Sequence, residues 1–172
     1  VDHREHLNGN ARGPRPDTKV IAVEFIKLPK MKHLHRAIVV GNKVVGGYSV
    51  AAEVDNIHLR DQTFDNIDEF IKANRRLGEL CSDNNFVNMI TKAVSCLGIE
   101  IGAIEFFEIE GVPYLVELNS TWAGSGGFTF WDEKIGTYLK ENKEQYEQEL
   151  WPLYRWNSPD QYLEFYKAFR QF

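Results

Sequence analysis

The sequence has few cysteines, no long hydrophobic run and no excess of positive charge. Cys81 and Cys96 are the only cysteines among 172 residues, too few for the disulfide framework of a small secreted domain. No apolar stretch approaches the roughly 18 residues of a membrane-spanning helix, and no secretory signal peptide is visible. The net charge of −5 weighs against nucleic acid or an anionic membrane as the main partner. These absences favour a cytoplasmic protein without a membrane span.

The residue patterns of nucleophilic catalysis are also missing. No Ser-His-Asp or Cys-His constellation stands out, and the segment GSGG at 124–127 lacks the Lys-Ser or Lys-Thr pair of a phosphate-binding P-loop. The histidines show no spacing typical of metal ligands, so we expect surface positions for all five: His3, His6, His33, His35 and His58. These absences fit a reaction that requires no side-chain nucleophile.

The sequence does contain enough apolar residues for one domain with a core, since 43% of the chain is hydrophobic and 13% is aromatic. It starts with Val1 rather than Met, so we expect a processed or truncated chain. Residues 1–18 are polar and without periodicity, which predicts a leader or loop. The run VIAVEFI at 20–26 is typical of a buried strand. Residues 36–50 predict two strands joined by a tight Gly-Asn turn at 41–42.

Apolar residues at helical spacing dominate much of the rest of the chain. They predict helices over about 66–80 and 85–97. A hairpin within 104–121 comes next, followed by predicted helices over about 132–150 and 159–171. This order predicts an α+β domain with a mostly antiparallel sheet and flanking helices.

The hairpin segment IEFFEIEGVPYLVELNST at 104–121 carries acidic residues inside two apolar strands. Residues two apart in a strand share a face, so Glu117 and Asn119 should lie on one face together with Leu115. A three-residue connection between the strands would place Glu105 directly opposite Glu117, with Cβ atoms roughly 5 Å apart. Two carboxylates at that distance repel each other, and a divalent cation would remove the conflict.

Oxygen ligands from Glu105, Glu117 and Asn119 suit magnesium or manganese better than zinc. The alternative is a solvent-facing hairpin with ordinary surface acids, which the spacing alone leaves open. The apolar residues around the acids, and the position of Asn119 at the strand end, favour the metal site. We therefore predict that these three residues are metal ligands.

The spacing of these residues, on a hairpin that follows an amphipathic helix ending in Leu-Gly, resembles the ATP-grasp superfamily. The segments GAIEFF and GVPYLVELNSTWAG are similar to the family block in which two acids and an asparagine hold the magnesium ions on the phosphates of ATP. The resemblance covers about residues 19–127 and corresponds to the later half of an ATP-grasp domain. It implies an ATP-grasp-like unit over 19–127 and a C-terminal helical extension over 128–172 that packs on the same domain.

The resemblance also implies nucleotide contacts upstream of the hairpin. The strand at 20–26 is similar to the hinge strand of the family, which implies adenine binding through Glu24, Phe25 and Ile26. Arg36 falls where family members often carry an arginine that contacts phosphate or an acylphosphate. Arg60 falls where peptide-forming ligases place a substrate- or phosphate-contacting arginine. For both arginines, a plain surface position is the alternative.

Phe107 shares the predicted face of Glu105, and by the resemblance it would pack under the adenine ring; a core position is the alternative. Other residues depart from the family pattern. Leu34 stands where members usually carry a ribose-binding acid, and Thr121 and Trp122 replace an arginine of carboxylating members. The glycine-rich lid and two phosphate-binding lysines of the family have no room in an 18-residue leader. We therefore expect a missing N-terminal half or a partner chain.

The resemblance implies a ligase that depends on ATP and on Mg²⁺ or Mn²⁺. It would form an acylphosphate from a small-molecule or peptide carboxylate and pass it to an amine or thiol. Two alternatives stay open: an ATP-grasp-type phosphotransferase with a hydroxyl acceptor, and a non-catalytic nucleotide- or metal-binding fragment.

Overall fold

The computed structural model describes residues 26–55, 57–58, 61–120, 133–146, 166–168 and 170. The predicted leader at 1–18, the predicted strand at 20–26 apart from Ile26, and most of the predicted helix at 159–171 lie outside these residues. Ile26 lies outside any strand, and it is 39% exposed.

Four strands form one antiparallel sheet in the order β2-β1-β3-β4. They are β1 (Lys32–Val40), β2 (Lys43–Ala52), β3 (Ile101–Ile109) and β4 (Val112–Asn119). Two hairpins supply the four strands, and β1 pairs with β3 in the centre. The predicted α+β architecture with an antiparallel sheet and flanking helices is confirmed.

The helices agree with the periodicity of the sequence. After a 3₁₀ turn at Phe64–Asn66 come α1 (Ile67–Ser82) and α2 (Asn84–Cys96), and α3 (Glu133–Glu141) and α4 (Lys143–Tyr146) follow β4. The predicted helix over 132–150 is thus divided in its described part. None of the helices among the described residues combines the length and the apolarity needed to cross a membrane.

Both hairpins turn through two residues. The backbone has a positive φ at Gly41 (58°) in the first turn, and at Glu110 (52°) and Gly111 (82°) in the second. Glycine adopts such angles at little cost, which explains its presence in both turns. The second connection is therefore one residue shorter than the three-residue loop predicted from the sequence.

Each hairpin also contains a bulge. The register shifts by one residue between Ile38 and Val39 in the first hairpin, and between Glu105 and Phe106 in the second. On the opposite strands Val45 and Val116 are the extra residues, because neither has a partner in the ladder. The two bulges change which side chains share a face beyond the turns.

Helices α1 and α2 cover one face of the sheet. Their apolar residues and those of β1 and β3 form a buried cluster: Ala37, Val39, Leu77, Leu80, Phe86, Ile90, Val94, Ile104 and Phe106. Ile135 and Leu139 of α3 belong to a second cluster that contains Leu34, Tyr48 and Val50 of the first hairpin. The site described below lies on the sheet face that carries these last three residues.

Close packing explains the glycine at position 47. A Cβ added to Gly47 would clash with the carbonyl oxygen of Arg36 and would lie 3.2 Å from Cδ2 of Leu77. Since the first of these is a backbone atom that a side-chain movement cannot displace, only glycine fits there without a shift of the strands.

Amide side chains satisfy the outer edge of β2. Asn74, fully buried in α1, accepts from the Ser49 N–H at 2.8 Å and donates to the Ser49 carbonyl at 2.9 Å. Gln62 accepts from the Ala51 N–H at 2.7 Å. Because buried backbone groups need partners, these amides connect the edge of the sheet to the segment that follows it in the chain.

The expected surface position is wrong for His35. This side chain is 1% exposed, its Nδ1 lies 2.7 Å from Ser49 Oγ, and its ring stacks on Phe106 at 5.1 Å between centroids. His33 is partly buried and pairs with Glu69 of α1 at 2.7 Å. Both histidines lie on the face of β1 that the helices cover, and the polarity of single residues does not predict this burial.

Burial makes the stability of the fold depend on pH through His35. Desolvation, reinforced by His33, lowers the pKa of His35 to about 4. Its ordinary pKa is about 6.5, so the unfolded chain binds more protons between these values and stability falls as the pH drops. We expect a loss of about 2 kcal/mol between pH 6.5 and 4.5, measured by urea unfolding at each pH.

The His35→Phe variant keeps the aromatic packing and removes the titrating group. Its stability should therefore change much less over the same pH range. A wild-type curve that is flat from pH 6.5 to 4.5, or a His35→Phe curve with the same slope as the wild type, would contradict the assignment.

Candidate functional site

Three charged residues form a row across the centre of the sheet. Arg36 of β1 pairs with Glu105 of β3, and Glu105 pairs in turn with Glu117 of β4. Residues paired across antiparallel strands point to the same face. The predicted placement of Glu105 directly opposite Glu117 is confirmed, although it depends on the bulge at Val116 and not on a longer turn.

Side-chain contacts connect this row to Asn119. Arg36 Nη2 lies 2.9 Å from Glu105 Oε1. In the amide orientation that satisfies both polar atoms of Asn119, its oxygen accepts from Arg36 Nη2 at 2.8 Å and its nitrogen donates to Glu117 Oε1 at 3.0 Å. The structure thus brings together four of the site residues predicted from the sequence.

Tyr48 belongs to the same group and was missed in the sequence. Arg36 Nη1 donates to the Tyr48 hydroxyl at 2.7 Å, and the guanidinium carbon lies 5.6 Å from the centroid of the tyrosine ring. Tyr48 is opposite Arg36 only because of the bulge at Val45; without it, a two-residue turn would place Gly47 there. The sequence shows an aromatic residue in the partner strand, but it does not show which residue of β1 this aromatic residue pairs with.

The row runs from a nearly buried end to an exposed end. The side chains of Arg36 and Glu105 are 22% and 17% exposed, and Glu117 is exposed on the edge strand. Desolvation raises the pKa of the Glu105 carboxyl, and Glu117 also raises it, whereas Arg36 acts to lower it. The site therefore holds two carboxylates whose mutual repulsion one guanidinium partly offsets.

The donor set suits a hard divalent cation. Two carboxylates and one amide oxygen are ligands that Mg²⁺ and Mn²⁺ prefer. Within the described ranges, no group of three or more His, Cys, Asp or Glu side chains has the arrangement of a metal site. Because Mg²⁺ requires more than three ligands, a cation bound by Glu105, Glu117 and Asn119 would complete its coordination with water or with a ligand.

The predicted position of Leu115 on the same face as Glu117 is wrong. Between the bulge and the turn, Leu115 pairs with Phe106 and so lies on the helix-covered face. Tyr114 pairs with Phe107 and lies on the face of Glu105. β4 is also less buried than its apolar sequence suggests: Leu115 is 49% and Val116 58% exposed. The reason is its position at the edge of the sheet.

The remaining predicted contacts are only partly described. Phe107 is partly buried and packs against the cluster that contains Tyr48 and Val50, on the face of Glu105. Leu34 is 8% exposed in the same cluster and so offers no polar group to a ribose. The predicted sites at Glu24, Phe25 and Arg60 lie outside the described residues.

A cavity of about 440 Å³ lies elsewhere, at the β1-β2 turn. It is lined by residues of that turn, of the C-terminal half of α2 and of the loop before β3, among them Asn42, Lys43, Lys92, Ser95 and Glu100. None of the residues in the charged row contributes to it. In comparisons with known proteins, no family model, no curated protein and no solved structure matches this chain.

Proposed function

We propose that this chain carries the metal- and phosphate-binding part of an ATP-dependent ligase, which forms an acylphosphate from a carboxylate and passes it to an amine or thiol. The observation that supports it most is the row of Arg36, Glu105 and Glu117 across three strands, with Asn119 bonded to both ends. The resemblance to the ATP-grasp superfamily supplies the reaction class.

In this proposal Glu105, Glu117 and Asn119 hold Mg²⁺ or Mn²⁺, which would neutralise negative charge on the phosphates of ATP. Arg36 supplies a planar, permanently charged fork that suits phosphoryl oxygens. Its place on a central strand, with Tyr48 at 2.7 Å, fixes the position from which it donates. Together these residues bind and orient the phosphates and leave nucleophilic attack to the substrate carboxylate.

Fewer observations support the residues proposed to bind the nucleotide base and the acceptor. Adenine binding at Glu24, Phe25 and Ile26, and an additional phosphate or substrate contact from Arg60, follow from the resemblance. Phe107, on the face of Glu105, would pack against the base. The reaction requires a carboxylate substrate and an amine or thiol as the nucleophile, and assays with candidate compounds can identify both.

The test is ADP release from ATP and Mg²⁺ by the full chain, with pools of amino acids and other carboxylates as substrates. Glu117→Gln should lower carboxylate-dependent ADP release at least about 100-fold, because it replaces a charged metal ligand by a weaker neutral one. Glu110→Gln is the matched control, since Glu110 is exposed at the turn of the same hairpin and should leave the rate unchanged.

Other outcomes separate the alternatives. ADP release that requires a polyol and not a carboxylate identifies a phosphotransferase. Nucleotide binding without turnover on any pool, with the expected N-terminal half or partner chain also present, identifies a non-catalytic binding module. Equal rates for the wild type and Glu117→Gln would reject the assignment of the metal site.

A further inference from the structure

We propose that Arg36 is an internal counter-cation that competes with the divalent cation for Glu105, so that a divalent cation and a phosphate-bearing anion bind this site together and only weakly one at a time. This inference rests on the proposed metal site and concerns how that site is controlled. It follows from the contacts that Arg36 makes with Glu105 and Asn119.

The guanidinium occupies the oxygen atoms that a cation would need. Nη2 of Arg36 lies 2.9 Å from Glu105 Oε1 and 2.8 Å from the Asn119 oxygen, so one nitrogen engages two of the three proposed metal ligands. The third ligand, Glu117, accepts from the Asn119 amide nitrogen at 3.0 Å. A cation that binds all three must share Glu105 with Arg36 or displace it, and it must take the Asn119 oxygen from Arg36.

The charges of the site make the two binding events interdependent. Arg36 with Glu105 and Glu117 carries a net charge of −1, and a divalent cation alone would change it to +1 in a partly buried place. The positive charge of Arg36 repels the cation and offsets part of its attraction to the two carboxylates. A phosphate-bearing anion that accepts the released Arg36 fork restores the balance, so each ligand should raise the affinity for the other by the same factor.

The alternative is that the Arg36–Glu105 pair has only a structural role. A second pair in the same protein provides the comparison. Arg76 of α1 bonds Glu108 of β3 through two nitrogens, at 2.7 Å and 2.5 Å, and Glu108 lies on the helix-covered face of β3. The Arg76–Glu108 pair also joins a guanidinium to a carboxylate, but it contains none of the proposed metal ligands.

The experiment measures Mn²⁺ binding to the full chain by the electron paramagnetic resonance signal of free Mn²⁺. Arg36→Met should bind Mn²⁺ alone about tenfold more tightly than the wild type, since it removes the competing positive charge. Arg76→Met is the matched control and should leave the affinity unchanged. Circular dichroism establishes that each variant is folded; if Arg36→Met is not, Tyr48→Phe, which removes one anchor of Arg36, should give a smaller increase.

A second readout is the coupling to an anion. Pyrophosphate should tighten Mn²⁺ binding to the wild type by about tenfold or more, after correction for the complex that the two form in solution, and it should have little effect on Arg36→Met. Unchanged or weaker Mn²⁺ binding by folded Arg36→Met would overturn the inference. If both proteins bind Mn²⁺ equally and Glu117→Gln does not, the metal site stands and the competition fails; if none of them binds, both are rejected.

Discussion

Asn74→Ala is expected to lower the free energy of unfolding by about 3 kcal/mol, which would be a large part of the stability of a domain of this size. Asn74 is fully buried, and its amide bonds both backbone groups of Ser49 as well as the Phe70 carbonyl at 2.8 Å. Alanine leaves the Ser49 N–H and C=O buried without these partners, and each unsatisfied group costs about 1–3 kcal/mol. Urea unfolding followed by circular dichroism measures the loss.

A matched control comes from the neighbouring helix. Asn88 is exposed on α2, so Asn88→Ala should change stability by less than about 0.5 kcal/mol. Asn74→Asp keeps an acceptor for the Ser49 N–H but loses both donors, and it should also be strongly destabilised. A loss below about 1 kcal/mol for Asn74→Ala would mean that β2 does not depend on this amide.

Phe106→Ala is expected to cost about 4 kcal/mol, because it opens a cavity at the centre of the sheet. Phe106 is fully buried, with its ring centroid 5.1 Å from His35 and 5.3 Å from Phe86. It therefore connects β1, β3 and α2 through one side chain. Chemical unfolding at neutral pH gives the change in free energy.

Two further variants test the cause of this loss. Phe106→Leu keeps most of the volume and should lose much less stability, and Leu97→Ala, at a residue 67% exposed after α2, should lose less than about 0.5 kcal/mol. The cavity beside His35 should also reduce the pH dependence described above, since water would reach the imidazole. A loss for Phe106→Ala below about 1.5 kcal/mol would contradict its central position in the core.

The position of the charged row explains how such a site could be held in place. Arg36 and Glu105 lie on the two central strands, whose opposite face is packed against α1 and α2. Glu117 and Asn119 lie on the edge strand β4, where a ligand has access. Packing on the opposite face fixes the backbone of the central strands, so that only side chains such as that of Arg36 have to move when ligands bind.

The pairing of Glu105 with Glu117 could be predicted from the sequence, but the reason for it could not. Even spacing along the hairpin predicted the pairing correctly, while the assumed three-residue connection was wrong. The two-residue turn would have placed Val116 opposite Glu105, and the bulge restores Glu117 to that position. The same device in the first hairpin brings Tyr48 next to Arg36, and no feature of the sequence marked that bulge.

By itself, the sequence determined the local elements of this protein. Apolar periodicity located α1 and α2, and the glycines at positive φ, Gly41 and Gly111, located both turns, because these signals depend on residues close together in the chain. Only the tertiary structure decided the bulges at Val45 and Val116, the burial of His35 and the exposure of β4. Each of these features depends on whether a strand or helix from a distant part of the chain packs beside the residue, and on which one it is. The spacing of neighbouring residues does not contain that information.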